Sequence, residues 1–475
     1  MEYKWIALTN TTIAILMASL DTNIVIIALP KISSDLHTSV LETMWIVLCF
    51  GLVTTIVLLS FGRLADMFGR VRLYNIGLIV FTAGSALCGL SRSGQELILF
   101  RSIQALGAAF LFSNSAAILT DAFGANERGK ALGLNQISIV VGSVGGLVLG
   151  GLLTDTLGWR SIFWVNVPIG IFGSVWSFTR LRELGTRTGG RIDWLGNCVL
   201  ASGLLFLFFG LTFGPLGLLS AVDGILLVAS GLGMLVLFVY VESKMEDPMF
   251  DVKLFRIRIF NTGNISVFLN AVARGALILV MSFYLQGPTM KLSALEAGIY
   301  LIPISFTMAT FGPISGWLSD KYGARQFIVG GLMTSAVGFL LLTTIHPRES
   351  FAGLLVPLVL VGAGMGMFAA PNRTTVMNSV PAKRRGVASG MSTTLVTLGN
   401  LISMGISFLI ITRSVPPSEL EAVFVGGTVG ASIGPGFVNS IHLVFYISAA
   451  ILFASLLPSI LEYSSKSSEE SAQRH

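Results

Sequence analysis

Charge is what this sequence has least of. Only 11% of its 475 residues are Asp, Glu, Lys or Arg, where a soluble protein carries about a quarter, so an ordinary water-facing surface is excluded. Histidine is scarce too. His37, His346, His442 and His475 are the only four, all in loops or near segment ends, which argues against a buried histidine proton relay. The three cysteines, Cys49, Cys88 and Cys198, lie inside apolar runs without metal or redox spacing and read as small packing residues, with no disulfide framework implied. There is no P-loop, no HExxH pair and no Ser/His/Asp constellation in a shared region. That removes the common enzyme chemistries and self-contained ATP-driven transport. No metal or cofactor is expected, and the chain does not read as an enzyme.

What fills the sequence instead is hydrocarbon. Hydrophobic residues make up 53%, and runs of about 20 of them recur from end to end, each long enough to cross a bilayer as a helix. The 53 glycines suit helices packed closely in lipid. Fourteen spans are predicted, near 6–28, 43–61, 73–91, 96–119, 131–153, 161–180, 194–213, 220–240, 260–285, 297–316, 326–345, 352–371, 387–411 and 440–461. The first lacks a basic leader and a small-residue cleavage site, so it reads as a retained span. If the N-terminus is cytoplasmic, 21 Lys/Arg fall on that side and 6 on the other, with Arg101, Arg274 and Arg373 inside apolar segments. This bias predicts that both termini are cytoplasmic in a multi-pass cell-membrane protein. The net charge of +6 is distributed as this topology signal and gives no reason to invoke nucleic acid.

The chain also repeats itself. GRLADMFGR at 62–70 returns as GWLSDKYGA at 316–324, an offset of 254 residues, and ERGKALG at 127–133 returns as RRGVASG at 384–390, an offset of 257. Two matches at nearly one offset indicate duplication. The division that follows is a six-helix bundle over 1–185, an inserted pair of helices with its connectors over 186–255, a second six-helix bundle over 256–462, and a disordered polar tail over 463–475. The segment 413–439 reads as a loop with a short helix near Glu419–Phe424.

Parallel six-helix repeats carrying such a loop resemble the major facilitator superfamily, whose signature loop between helices 2 and 3 is matched by Gly62, Leu64, Ala65, Asp66, Gly69, Arg70 and Arg72. The span count, LDTNIVIIALP at 20–30, WRSIFWVNVPIG at 159–170 and YLQ at 284–286 followed by Gly298 and Pro303 resemble its fourteen-span drug:H⁺ antiporter family. Where that family's fourth-span motif reads Arg-x-x-Gln-Gly-x-Gly, this chain has Arg101, Gln104, Ala105 and Gly107. Leu147 stands where its antiporter motif has proline. The resemblance implies an all-α membrane fold working by alternating access.

Asp21 is the only acidic residue well inside a predicted span. Such residues mark ion or substrate paths, although a helix cap near the interface is the plainer reading. A carboxyl that meets water from one side at a time could carry a proton, since desolvation disfavours its charged form and a nearby cation favours it. Arg101 keeps its charge and must find a counter-charge, water or carbonyls, or else snorkel outward. The resemblance assigns it, with Asp21, to proton coupling. Gln104 shares its face. Asn23, Gln104, Asn270 and Arg274 are candidate substrate-cavity residues. Arg274 sits about where the repeat would place a counterpart of Asp21. It could hold an anionic substrate, pair with Asp21, or bond Asn270 one turn away. By resemblance Gly62, Asp66, Gly69 and Arg70 form a conformational latch. Asp66 would engage the helix starting near Arg385 and Gly386, and Asp320 the one starting near Arg128 and Gly129, each through a charge–dipole contact of about 0.3–2 kcal/mol. Gly142, Gly146, Gly150 and Gly151 form a close-packing stripe that is either static or a sliding gate surface.

The leading expectation is a monomeric, proton-gradient-driven exporter of lipophilic or amphipathic small molecules. The first bundle would handle protons and the second shape the cargo. The only partners expected are substrate, protons and the bilayer. The altered antiporter motif leaves a lipid or metabolite exporter, or a symporter, as the alternative, and a non-transporting membrane sensor as a remote one.

Overall fold

The computed structural model describes residues 2–124, 127–185, 193–245, 248–347, 349–381, 384–424 and 435–472. Among these it is helical, with no strand. In chain order the helices are α1 (Tyr3–Leu36), α2 (Val40–Phe68), α3 (Arg70–Leu90), α4 (Gly94–Ala122), α5 (Arg128–Leu157), α6 (Ser161–Trp164), α7 (Asn166–Arg180), α8 (Trp194–Phe213), α9 (Ala221–Lys244), α10 (Arg258–Arg274), α11 (Leu277–Gln286), α12 (Ala294–Tyr322), α13 (Ala324–Leu342), α14 (Phe351–Asn378), α15 (Arg385–Ser414), α16 (Pro417–Phe424) and α17 (Pro435–Ala472). A short 3₁₀ turn covers Val252–Arg256. Fourteen spans of membrane-crossing length and apolarity result among the described residues, with α6–α7 and α10–α11 each forming one broken span.

The starts and stops follow local chemistry. Ser39 and Glu42 close a capping box on α2, Glu42 N–H donating to Ser39 Oγ at 3.2 Å and Ser39 N–H to Glu42 Oε2 at 2.8 Å, which satisfies two donors a bare helix start would leave open. Gly69 ends α2 at φ +111° and Gly323 ends α12 at φ +90°, a conformation that favours glycine. The two positions are related by the 254-residue repeat.

The chain divides into two compact units. One comprises Met1–Met249, Met281–Ile299 and Val415–Ile433, and the other Phe250–Val280, Tyr300–Ser414 and Gly434–His475. The inserted pair α8–α9 therefore groups with the first unit, where the Trp45 ring of α2 lies 5.1 Å from that of Phe209 on α8. The expected short helix near Glu419–Phe424 is α16, while 425–434 lies outside the described residues. Most of the expected tail is different: α17 continues as helix to Ala472, because extending a formed helix requires no new nucleation.

In the first unit α1 runs against α5 through a glycine stripe. A Cβ at Gly142 would lie 2.7 Å from the Leu16 carbonyl oxygen, one at Gly146 2.7 Å from that of Leu20, and one at Gly150 2.9 Å from Ile24 Cγ1. These three glycines let α5 pack closely against α1 within one unit. Gly151 alone of the four turns toward the segment 294–295, where its Cβ would fall 2.5 Å from the Ala294 carbonyl oxygen.

Candidate functional site

Asp21 lies fully buried on α1, and helices α1, α3, α4 and α7 meet at its carboxylate. Arg101 Nη1 on α4 donates to Asp21 Oδ2 at 2.5 Å. Gln104, one turn further, donates Nε2 to Asp21 Oδ1 at 2.8 Å and accepts from Arg101 Nη1 at 2.7 Å. Asn166 on α7 donates Nδ2 to the same Oδ1 at 2.8 Å. Behind them the Ser85 hydroxyl of α3 accepts from both amides at 3.1 Å and donates to the Phe163 carbonyl at 3.2 Å. Arg101 is 2% exposed, so it does not snorkel. Its guanidinium lies over the Phe50 ring, 4.2 Å from the centroid, a contact worth about 2 kcal/mol when desolvated.

Backbone chemistry brings these groups together. A Cβ at Gly84 would lie 2.7 Å from Gln104 Cα, and one at Gly107 2.3 Å from Phe81 N. The two glycines thus let α3 and α4 close until Ser85 reaches Gln104. Asn166 begins α7 just after the break at Val165. Pro168 sits in that first turn, where a missing N–H costs nothing. All the groups aimed at Asp21 are N–H donors, so the pocket treats the carboxylate as an acceptor only. Arg101 Nε and Asn166 Oδ1 remain buried without a partner among the described residues.

The signature loop forms a second polar cluster in the first unit. Arg70 donates Nε to Asp66 Oδ1 at 2.9 Å and Nη1 to Asp121 at 2.7 and 2.8 Å. Glu183 accepts from the Arg70 and Val71 backbone N–H groups, each at 3.0 Å, capping α3 where Gly69 has no side chain to do so. Gly62 packs loosely, its would-be Cβ 3.9 Å from Ser113. Arg128 Nε donates to the Phe123 carbonyl at 3.0 Å. In the second unit Asp320 and Arg385 are exposed, and Gln326 donates Nε2 to the Tyr322 carbonyl at 2.8 Å. Asp66 and Arg385 belong to different units, as do Asp320 and Arg128.

A third cluster caps α12. Asp155, near the end of α5, accepts from the Leu295 N–H at 2.8 Å and the Ala294 N–H at 3.3 Å. Ser293 Oγ accepts from the Glu296 N–H at 3.2 Å, so the first donors of that helix are all answered. Close by, a Cβ at Gly298 would lie 2.4 Å from the Leu147 carbonyl oxygen.

Of the cavity candidates, Gln104 belongs to the Asp21 network and Asn23 does not. Asn23 Nδ2 is 3.4 Å from the Ser19 carbonyl of its own helix, and its Cβ meets Gly146. Asn270 and Arg274 lie on α10 in the second unit. Asn270 Nδ2 and Arg274 Nε are both buried without a hydrogen-bond partner among the described residues. Of the three alternatives for Arg274, no hydrogen bond to Asn270 is found among the described residues, and Asp21 takes its ionic partner from Arg101. Sequence reasoning missed Asn166, Ser85, Asp121, Glu183 and Asp155 as partners. Asn166 is an uncharged amide two residues before Pro168, and nothing in that context marks it as a partner of Asp21.

Fourteen apolar helices, a duplicated helix-end turn and a buried ion pair within the first unit define a multi-pass membrane transporter, not an enzyme. The chain belongs to the Major Facilitator Superfamily, whose family pattern matches residues 11–404. It is 34% identical over 416 residues to the riboflavin transporter RibZ of Clostridioides difficile (strain 630), covering 86% of this chain and 88% of that one. It is 32% identical over 403 residues to the multidrug resistance protein Stp of Mycobacterium tuberculosis (strain CDC 1551 / Oshkosh), covering 84% and 74%. Among solved structures, an inward-facing, unoccupied bacterial homolog of the human lysosomal transporter Spinster superposes with a TM-score of 0.69 at 16% identity, covering 97% of each chain. That likeness is one of fold.

Proposed function

We propose that the protein exports lipophilic or amphipathic small molecules across the cell membrane in exchange for protons, by alternating access, with both termini cytoplasmic. The observation that carries this reading is the buried Asp21–Arg101 pair with Gln104 and Asn166 around it. Taking up a proton removes the negative charge that the three N–H groups answer and adds an O–H donor among donors, so their hold on Asp21 weakens together. Protonation is thereby tied to rearrangement of α1, α4 and α7. The partnerless Arg101 Nε and Asn166 Oδ1 suit water along a proton path. In the loop cluster, Asp66 would leave Arg70 and return to it during the cycle, since latch contacts of about 0.3–2 kcal/mol are weak enough to be remade each time.

The test uses proteoliposomes holding the purified chain, an imposed pH gradient and a panel of dyes of each charge type that includes ethidium, riboflavin and 1-anilinonaphthalene-8-sulfonate. Gradient-driven movement of a dye by the wild type and its loss in Asp21→Asn is the expected result. Transport that continues unchanged in Asp21→Asn removes the proton role from Asp21. The second reading is a narrower metabolite exporter. The 34% identity to a riboflavin transporter favours it, and movement of riboflavin alone within the panel is its signature.

A further inference from the structure

The second unit carries a cation, Arg274, within an apolar span of membrane-crossing length, and no ion pair answers it among the described residues. Arg274 ends α10 at a break in the 29-residue span Arg258–Gln286. Between Arg258 and Ser459 the only acidic residues are Glu296, Asp320, Glu349, Glu419 and Glu421. The first two lie in the first and last turns of α12, Glu349 lies between α13 and α14, and the others are in α16. No carboxylate pairs with Arg274 among the described residues.

Three unanswered polar groups lie on the two helices, α10 and α15, that pack together near the break. Arg274 Nε and Asn270 Nδ2 are buried donors on successive turns of α10, and Asn400 Oδ1 on α15 is a buried acceptor, none with a hydrogen-bond partner among the described residues. Asn270 is 5% exposed. Gly275 brings α15 up to this point, since a Cβ there would lie 2.5 Å from Asn400 Cα. One turn on, Ser403 Oγ accepts the Ala276 N–H at 3.0 Å, answering a donor that the break leaves free. Broken spans with loose polar groups are how membrane transporters hold polar ligands at depth. The carbonyls at the end of α10 offset part of the Arg274 charge but supply no unit negative charge. An arginine kept in hydrocarbon is costly unless something anionic meets it.

We infer that Arg274, Asn270 and Asn400 form an anion-recognition subsite, and that the cargo is an amphipathic organic monoanion, such as a carboxylate or sulfonate on an aromatic or aliphatic body. The guanidinium gives its fork of N–H groups to the anionic oxygens. The Asn270 amide adds a donor, and the Asn400 carbonyl accepts from a ring N–H or hydroxyl of the same molecule. This rests on the transporter reading above and narrows its substrate class.

The test is equilibrium binding to the full chain in lipid nanodiscs without a pH gradient, empty discs being subtracted. The probes are 1-anilinonaphthalene-8-sulfonate and its neutral parent N-phenyl-1-naphthylamine. The wild type is expected to bind the sulfonate about tenfold or more tightly than the neutral arylamine, as a charge-assisted bond predicts. Arg274→Gln loses that preference and keeps its affinity for the neutral probe. Arg274→Lys retains part of the preference, and Asn270→Ala lowers it a few-fold. Equal affinities in the wild type, no saturable sulfonate binding, or a preference that survives Arg274→Gln overturns the subsite. If Arg274→Gln does not yield folded protein, Asn270→Ala decides, an unchanged preference counting against the proposal. Because no gradient is applied, failure of the Asp21 proton test leaves this result standing. Loss of the anion preference likewise leaves gradient-driven transport untouched.

Discussion

Asn166 donates to Asp21 from 145 residues away in the chain, its Nδ2 2.8 Å from the carboxylate Oδ1. The same Nδ2 also reaches Ser85 Oγ. Replacing it by alanine removes one of the carboxylate's three donors and is expected to destabilise the protein by about 1–3 kcal/mol, read as a lower melting temperature in detergent. Asn166→Asp sets a second carboxylate against Asp21 and is expected to be worse than alanine. A melting temperature unchanged in both variants would show that α7 does not hold Asp21.

The Asp21–Arg101 pair is expected to be strongly coupled. Either residue alone, lost as Asp21→Asn or Arg101→Gln, leaves its partner without a counter-charge and costs about 3–5 kcal/mol. The double substitution is expected to cost clearly less than the sum of the two. Denaturant unfolding of the four proteins measures this, and simple additivity would contradict the buried contact.

Asp155 answers two N–H groups at the start of α12, so Asp155→Ala is expected to remove about 0.5–2 kcal/mol of capping. Hydrogen exchange at 293–299 is the sensitive readout, with faster exchange expected there and none of it at α13. Asparagine, which keeps an acceptor oxygen, is expected to restore part of the protection.

Gly146→Ala forces a methyl to within 2.7 Å of the Leu20 carbonyl oxygen and is expected to cost about 1–3 kcal/mol as overpacking. Gly233 on α9 meets nothing within 4 Å of a built Cβ. Gly233→Ala is therefore expected to be neutral or stabilising by about 0.4–1 kcal/mol. Melting temperatures of the two variants side by side give the comparison, and equal shifts would argue against the α1–α5 contact.

The spans, the duplication and the separate importance of Asp21 and Arg101 were legible in the sequence because hydrocarbon leaves charge few places to go, so charges in apolar runs stand out; that the two touch was not, since it depends on how α1 and α4 pack. Gln104 followed from helical spacing. Asn166 was not legible as a partner: an uncharged amide carries no such signal, and its aim depends on a break at Val165 that only tertiary packing fixes. Asp121, Glu183 and Asp155 were hidden for another reason. Each is an acidic residue near a helix end, ordinary in sequence, and its role depends on which distant arginine or helix start arrives beside it. The glycine stripe was legible as close packing but not as belonging to α1, since small residues do not name their neighbour. Gly151, one residue past the stripe, turned out to face another segment.

Gly69 and Gly323 both turn their helices at positive φ, while their neighbours have parted company: Arg70 binds two aspartates and Ala324 stands in its place in the other copy. Divergence after duplication has thus been uneven. A side chain can be exchanged when its partners change with it, but no neighbour can compensate for a backbone angle that disfavours every residue carrying a Cβ. In a library of random variants these two positions are expected to return as glycine while positions 70 and 324 scatter, which makes the turn a more durable mark of common ancestry than the charges around it.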